Sequence, residues 1–168
     1  MLPSVTLAGL LALAASMRLW SADFSAGGAI AHPMMAVDCG GENRSPALAW
    51  SEAPKGTKSF ALVVRDPDAP VAGGFTHWVV YNIPAQQHAL ADNAKLAADQ
   101  LGITSLGKPG YYGPCPPPGP AHHYFFVLYA LDVAHITAKS PLSSDQLESA
   151  VGGHVLARAV LVATAARH

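Results

Sequence analysis

Four uninterrupted apolar runs constrain this chain more than any other feature. Residues 59–65 (SFALVVR), 76–83 (THWVVYNI), 124–131 (YFFVLYAL) and 158–164 (RAVLVAT) are rich in Val, Phe, Tyr and Leu and are bounded by turn residues, the pattern of β-strands. They are apolar on both faces, so each strand needs cover on both sides. A sheet with two apolar faces belongs to a layer with neighbours above and below, as in the centre of a sandwich. The segments 19–24 (LWSADF) and 47–54 (ALAWSEAP) carry weaker patterns suited to edge strands. The expected class is mainly β.

One helix is signalled near the C-terminal end. Ser143 stands at an N-cap with Gln146 as its capping-box partner, and Leu142 with Leu147 fits a hydrophobic staple across that cap. Leu147, Val151, His154, Val155 and Arg158 follow helical spacing, and Gly152 and Gly153 interrupt it, either ending the helix or denting it. Residues 86–100 (QQHALADNAKLAADQ) admit a helix or a surface loop, because only Leu90 and Leu96 could anchor a helical face. The connection from 84 to 123 is too long for a hairpin, and loops of that size in a compact domain are usually functional.

At 168 residues, with 51% hydrophobic and 12% charged side chains, the chain has the size and apolar content of one globular domain. Ten Lys and Arg against eleven Asp and Glu, spread without runs, give no electrostatic footprint for nucleic acid or an anionic membrane surface. Any charged ligand must be met locally. The opening MLPSVTLAGLLALAAS is mostly apolar and ends with Ala14 and Ser16, small residues at the spacing a signal peptidase reads, although no Lys or Arg precedes it. It is shorter than the roughly 20 residues a permanent spanning helix needs. We expect residues 1–16 to be a cleaved signal peptide and residues 17–168 the mature domain, periplasmic or secreted; the alternative is an apolar helix packed on the domain. Cys39 and Cys115 make an even pair that an oxidising compartment permits to bridge. Both lie in Gly- or Pro-rich loops, which favours a disulfide over two buried free thiols.

Residues with chemical potential gather at the mouths of the predicted strands. In RDPDAP (65–70), Pro67 and Pro70 take the chain out of the sheet on a stiff turn that holds Asp66 and Asp68. Those carboxylates could serve a ligand or merely accept from backbone amides of an Asx-type turn. The run THWVVYNIP places His77 at a strand start, by simple alternation on the face of Val79 and Tyr81 and opposite Trp78 and Val80. In YYGPCPPPGPAHHYFFVLYALD (111–132), alternation puts His122 and Tyr124 on one face and His123 on the other. An imidazole and a phenol two positions apart can share one cavity, whose edge the preceding prolines stiffen.

The motifs DPDAP, HWVVYNIP and GPCPPPGPAHHYFFVLYALD, preceded by CGGENRSPALAW, resemble the phosphatidylethanolamine-binding protein family, in its bacterial branch often labelled Raf kinase inhibitor-like. The resemblance runs from about Arg18 to the C-terminus. It implies an antiparallel β-sandwich-like fold with a large central sheet, a smaller sheet packed on it and a C-terminal helix. It also implies a small surface pocket for a phosphate-like anion or phosphorylated headgroup, formed here by Asp66, Pro70, His77, His122 and Tyr124, with Asp68, Gly113 and Pro114 at the rim. Neither a metal nor a cofactor belongs to that picture, and a cis peptide is implied at Ala69–Pro70. In it, His77 and His122 donate ring N–H groups to phosphoryl oxygens, Asp66 fixes an imidazole tautomer and Tyr124 adds a hydroxyl donor.

Two departures from the family pattern stand out. His123 replaces a common arginine, so a surface salt bridge is expected to be lost, and GITSLGKPG (102–110) lacks an asparagine and an aromatic residue common in bacterial members. The leading function is non-enzymatic binding of a phosphorylated small molecule. A second is inhibition of a kinase or protease through the pocket rim. A hydrolase or metal site built from Asp66, His77 and His122 ranks last, because neither a nucleophile elbow nor a paired-histidine helix motif is present.

Overall fold

The computed structural model describes residues 16–51, 53–139 and 141–167, and the expected signal segment therefore lies almost wholly outside the described residues. Among those described, the strands are β1 (Arg18–Ser21), β2 (Leu48–Ser51), β3 (Ser59–Asp66), β4 (Phe75–Pro84), β5 (Ala89–Leu90), β6 (His122–Leu131) and β7 (Val155–Ala165). The helix α1 (Ser144–Val151) lies between β6 and β7. Two antiparallel sheets result, one ordered β4-β3-β6-β7 and the other β1-β2-β5.

The two-faced apolar runs are explained by what covers them. On one side, Leu19, Leu48 and Trp50 of the small sheet pack with Phe60, Leu62, Val64, Trp78 and Phe126 in a single buried cluster. On the other, Ala61, Val63, Val79 and Tyr81 meet Leu147 and Val151 of α1. Eight residues of helix span only about 12 Å. The helix thus covers β3, β4 and, at Leu131, the end of β6, while the rest of β6 and β7 alternate between buried and more exposed positions.

The cap at Ser143 forms as expected: its hydroxyl accepts from the Gln146 amide, and its own amide donates to Gln146 Oε1. Leu142 packs into the same cluster as Leu147. The helix ends at Val151, however, and Val155 and Arg158, which continue its spacing in sequence, belong to β7. Pairing with β6 along the whole of β7 satisfies more backbone groups than two further helical turns would. Residues 86–100 are largely loop, with Leu90 buried where β5 adds to β2 and one 3-10 turn at Ala98–Gln100. Cys39 and Cys115 are bridged, with Cα atoms 5.5 Å apart across 76 positions.

Candidate functional site

Antiparallel pairing brings the C-terminal end of β3 beside the N-terminal ends of β4 and β6, as the pairs Asp66 with Phe75 and Arg65 with Phe125 record. Asp66, His77, His122 and Tyr124 therefore meet at one end of the larger sheet. Together with Pro70 they line a cavity of about 390 Å³.

Asp66 is buried and uses both carboxylate oxygens. Oδ1 accepts from the amides of Asp68 at 2.8 Å and Ala69 at 3.1 Å, while Oδ2 accepts from His122 Nδ1 at 2.7 Å. The Asx turn and the site are thus one arrangement: the turn holds the carboxylate still so that it can orient the imidazole. Since Oδ2 only accepts, His122 carries its Nδ1 proton, which leaves Nε2 for a ligand.

His77 reaches the cavity by a route that alternation misses. Val64 pairs with Trp78 and Arg65 with Thr76, so His77 is an extra residue in β4. This β-bulge turns it away from the face of Val79 and Tyr81 and toward Tyr124, whose ring lies 5.1 Å from the imidazole. His77 Nδ1 lies 2.6 Å from the Tyr112 carbonyl, and the Tyr112 amide returns a bond to the His77 carbonyl at 2.8 Å. A carbonyl cannot donate, so here too Nδ1 carries the proton. Burial pulls His77 below the ordinary imidazole range, with the Tyr112 carbonyl and the Asp66 charge opposing it.

The loop that anchors His77 is itself clamped by Asn43. Its Nδ2 donates to the Tyr111 carbonyl at 2.9 Å, and its Oδ1 accepts from the Gly113 amide at 2.7 Å. A Cβ on Gly113 would lie 2.2 Å from the Met34 carbonyl oxygen, so only glycine fits this crossing. Gly113 and Pro114 are consequently buried beneath the site, and the proline edge of the cavity is made by Cys115, Pro116 and Pro117.

Tyr124 is 1% exposed, and its hydroxyl has no hydrogen-bond partner among the described residues. Burial pushes this phenol far up, and the nearby Asp66 charge pushes it further, so it is a donor at any ordinary pH. Asp66 is the one acid among the cavity-lining residues, and Arg167, which sequence reasoning did not single out, is the one permanent cation.

Three further expectations change. Among the described residues there is no cis peptide, so Ala69–Pro70 is trans; the turn closes instead through the Asp66 carboxylate and a Val71 amide bond to the Ala69 carbonyl at 2.7 Å. Asp68 lies outside the cavity lining. There its Oδ2 accepts from both the amide and Nδ1 of His123, at 2.8 and 2.7 Å, so the surface pairing expected to be lost with the family arginine is made by histidine. These bonds, the ring donor first, hold the Asp68 carboxyl below the usual range. From GITSLGKPG comes Leu106, half exposed at the cavity mouth.

Comparison with known proteins gives a consistent answer. The model of a family described as phosphatidylethanolamine-binding protein matches residues 20–166. A UPF0098 protein of Aquifex aeolicus is 39% identical over 155 residues, covering 83% of this chain and 90% of that protein. The crystal structure of Escherichia coli YbcL, described as a member of the mammalian PEBP family, superposes with a TM-score of 0.84 at 34% identity, covering 90% of this chain and 99% of that one. A Chlamydia trachomatis homologue, CT736, gives 0.82 at 37% identity, with 91% and 99% covered.

Proposed function

The chain belongs to the phosphatidylethanolamine-binding protein family, and from that premise we propose that the cavity binds the phosphoryl group of a small phosphorylated molecule or headgroup without transforming it. The observation that carries this reading is the buried, unpartnered Tyr124 hydroxyl beside a His122 that Asp66 holds in place. A hydroxyl buried without a partner costs about 1–3 kcal/mol, and a phosphoryl oxygen would remove that cost.

The two histidines take different parts. Both have Nδ1–H committed, so a neutral ring offers only a lone pair at Nε2. His122, once protonated, donates from Nε2 to the anion while Asp66 balances its charge. His77, kept neutral by burial, accepts instead, and its natural partner is a P–OH group. Phosphate monoesters hold that second proton up to about pH 6. Affinity should therefore rise as pH falls through the imidazole range.

Calorimetry with inorganic phosphate and O-phosphorylethanolamine tests this reading. His122→Ala is expected to keep the fold, by circular dichroism, and to lose about tenfold or more in affinity for both. An unchanged affinity would remove His122 from the site. A second reading, inhibition of a kinase or protease through the rim, draws on Val71 and Leu106, which are 54% and 50% exposed at the mouth. Capture of a specific enzyme by the wild type and not by a Val71→Asp, Leu106→Asp variant is the outcome it requires. Export is supported by the Cys39–Cys115 bridge, which an oxidising compartment preserves. The mass of the mature protein recovered from the periplasm or medium should correspond to cleavage after Ser16.

A further inference from the structure

We infer that Arg167 is a ligand-contacting residue of this cavity, the fixed cation that makes it receptive to an anion when both histidines are neutral. The inference rests on the proposed anion site and deepens it. Its first support is register. β7 runs antiparallel to β6 so that Ala163 faces Tyr124 and Ala165 faces His122 as the last pair, and Arg167 follows two residues on. Positions 163, 165 and 167 continue one face, and Arg167 lines the cavity with Asp66, His122 and Tyr124.

The second support is that the guanidinium is underused. Its Nε is buried with no hydrogen-bond partner among the described residues. The bond found for it runs from Nη1 to the Cys39 sulfur at 3.5 Å, and a disulfide sulfur is a weak acceptor. Among the described residues, no carboxylate lies within salt-bridge distance of it, whereas Arg44 and Arg65 each have acidic partners. A guanidinium with an unpaired, buried Nε at the lining of a cavity whose single acid, Asp66, is committed to His122 and two turn amides invites two oxygens of one tetrahedral anion, the geometry its planar fork suits.

Charge supplies the third support. With neutral imidazoles, Asp66 alone would leave the lining negative and hostile to an anion; Arg167 brings the formal total to zero. Protonation of His122 then makes it positive. The residue thus keeps the lining from being negative, and it favours phosphoryl oxygens whether they belong to free phosphate or to a headgroup.

The test compares wild type, Arg167→Gln, Arg167→Lys, Arg158→Gln and His122→Ala by calorimetry with inorganic phosphate and with O-phosphorylethanolamine, from about pH 5.5 to pH 8. Arg158 is exposed on β7, outside the cavity lining, and controls for the loss of one positive charge. We expect Arg167→Gln to bind both probes about tenfold or more weakly at neutral pH, with the remaining binding confined to the acid end of the range. Arg167→Lys should recover part of the affinity, and Arg158→Gln should match wild type. If His122→Ala loses binding while Arg167→Gln follows the wild-type profile, the anion site stands and the role of Arg167 falls. A loss confined to O-phosphorylethanolamine would place Arg167 away from the phosphoryl oxygens and also overturn it. If wild type binds neither probe, both the site and this role fall together.

Discussion

His77 and His122 make the same kind of Nδ1 bond, yet burial lets them do different things. His122 keeps part of its ring accessible at the cavity, whereas His77 is 4% exposed and held below the ordinary imidazole range by desolvation. The consequence reaches stability. Below an ordinary value near 6.5, the unfolded chain takes up a proton at this position that the folded protein resists, so stability declines as pH drops from there. His77→Asn places an amide donor where Nδ1 stands, keeping the bond to the Tyr112 carbonyl while removing the titration. Thermal unfolding between about pH 7.5 and 5 should show a steeper loss for wild type than for this variant. Parallel curves would mean that His77 takes its proton as easily folded as unfolded.

At the scale of elements, the four long strands and the capped helix were legible because each is specified locally, by apolar runs and by the Ser143 and Gln146 pair. What was not legible depended on a partner strand. The bulge that turns His77 onto the cavity face exists only in the pairing with β3, and nothing in THWVVYNI announces it. The end of α1 was ambiguous for the same reason: Val155 and Arg158 keep helical spacing until β6 claims them. Because α1 covers the sheet face opposite the small sheet and its N-terminus lies outside the cavity lining, its stability and ligand binding should separate. Ser143→Ala removes the acceptor for the Gln146 amide and should cost about 1 kcal/mol in urea unfolding. Its affinity for phosphate should equal that of wild type. A matching loss of affinity would show that the helix supports the cavity.

Across the whole molecule, the cavity is closed by segments far apart in the chain: three strand ends, the proline loop and Arg167, two positions past β7. The Asp, His and Tyr members were visible because each stands at the mouth of a recognisable strand, while Arg167 carries no local signal and owes its place to register alone. The Cys39–Cys115 bridge ties this assembly together, since Cys115 lines the cavity and the Cys39 sulfur meets Arg167. Releasing it frees a loop of 76 positions in the unfolded chain, which by the chain-entropy model costs roughly 4 kcal/mol of stability. The local effect is of a different kind. Without the bridge, the proline loop loses its covalent attachment to the 3-10 turn at Val37–Cys39 and keeps only hydrogen bonds there, from Tyr112 to Asp38 and from the Ala36 amide to the Pro114 carbonyl, so more of the cavity edge must be ordered when ligand binds. A Cys39→Ser, Cys115→Ser variant should therefore unfold at lower urea by an amount equivalent to roughly 4 kcal/mol. While still folded, it should also bind phosphate more weakly than the oxidised wild type. Were stability to drop with affinity intact, the bridge would be a restraint on the unfolded chain alone, and Asn43 with its two bonds to the loop would suffice to hold the cavity edge.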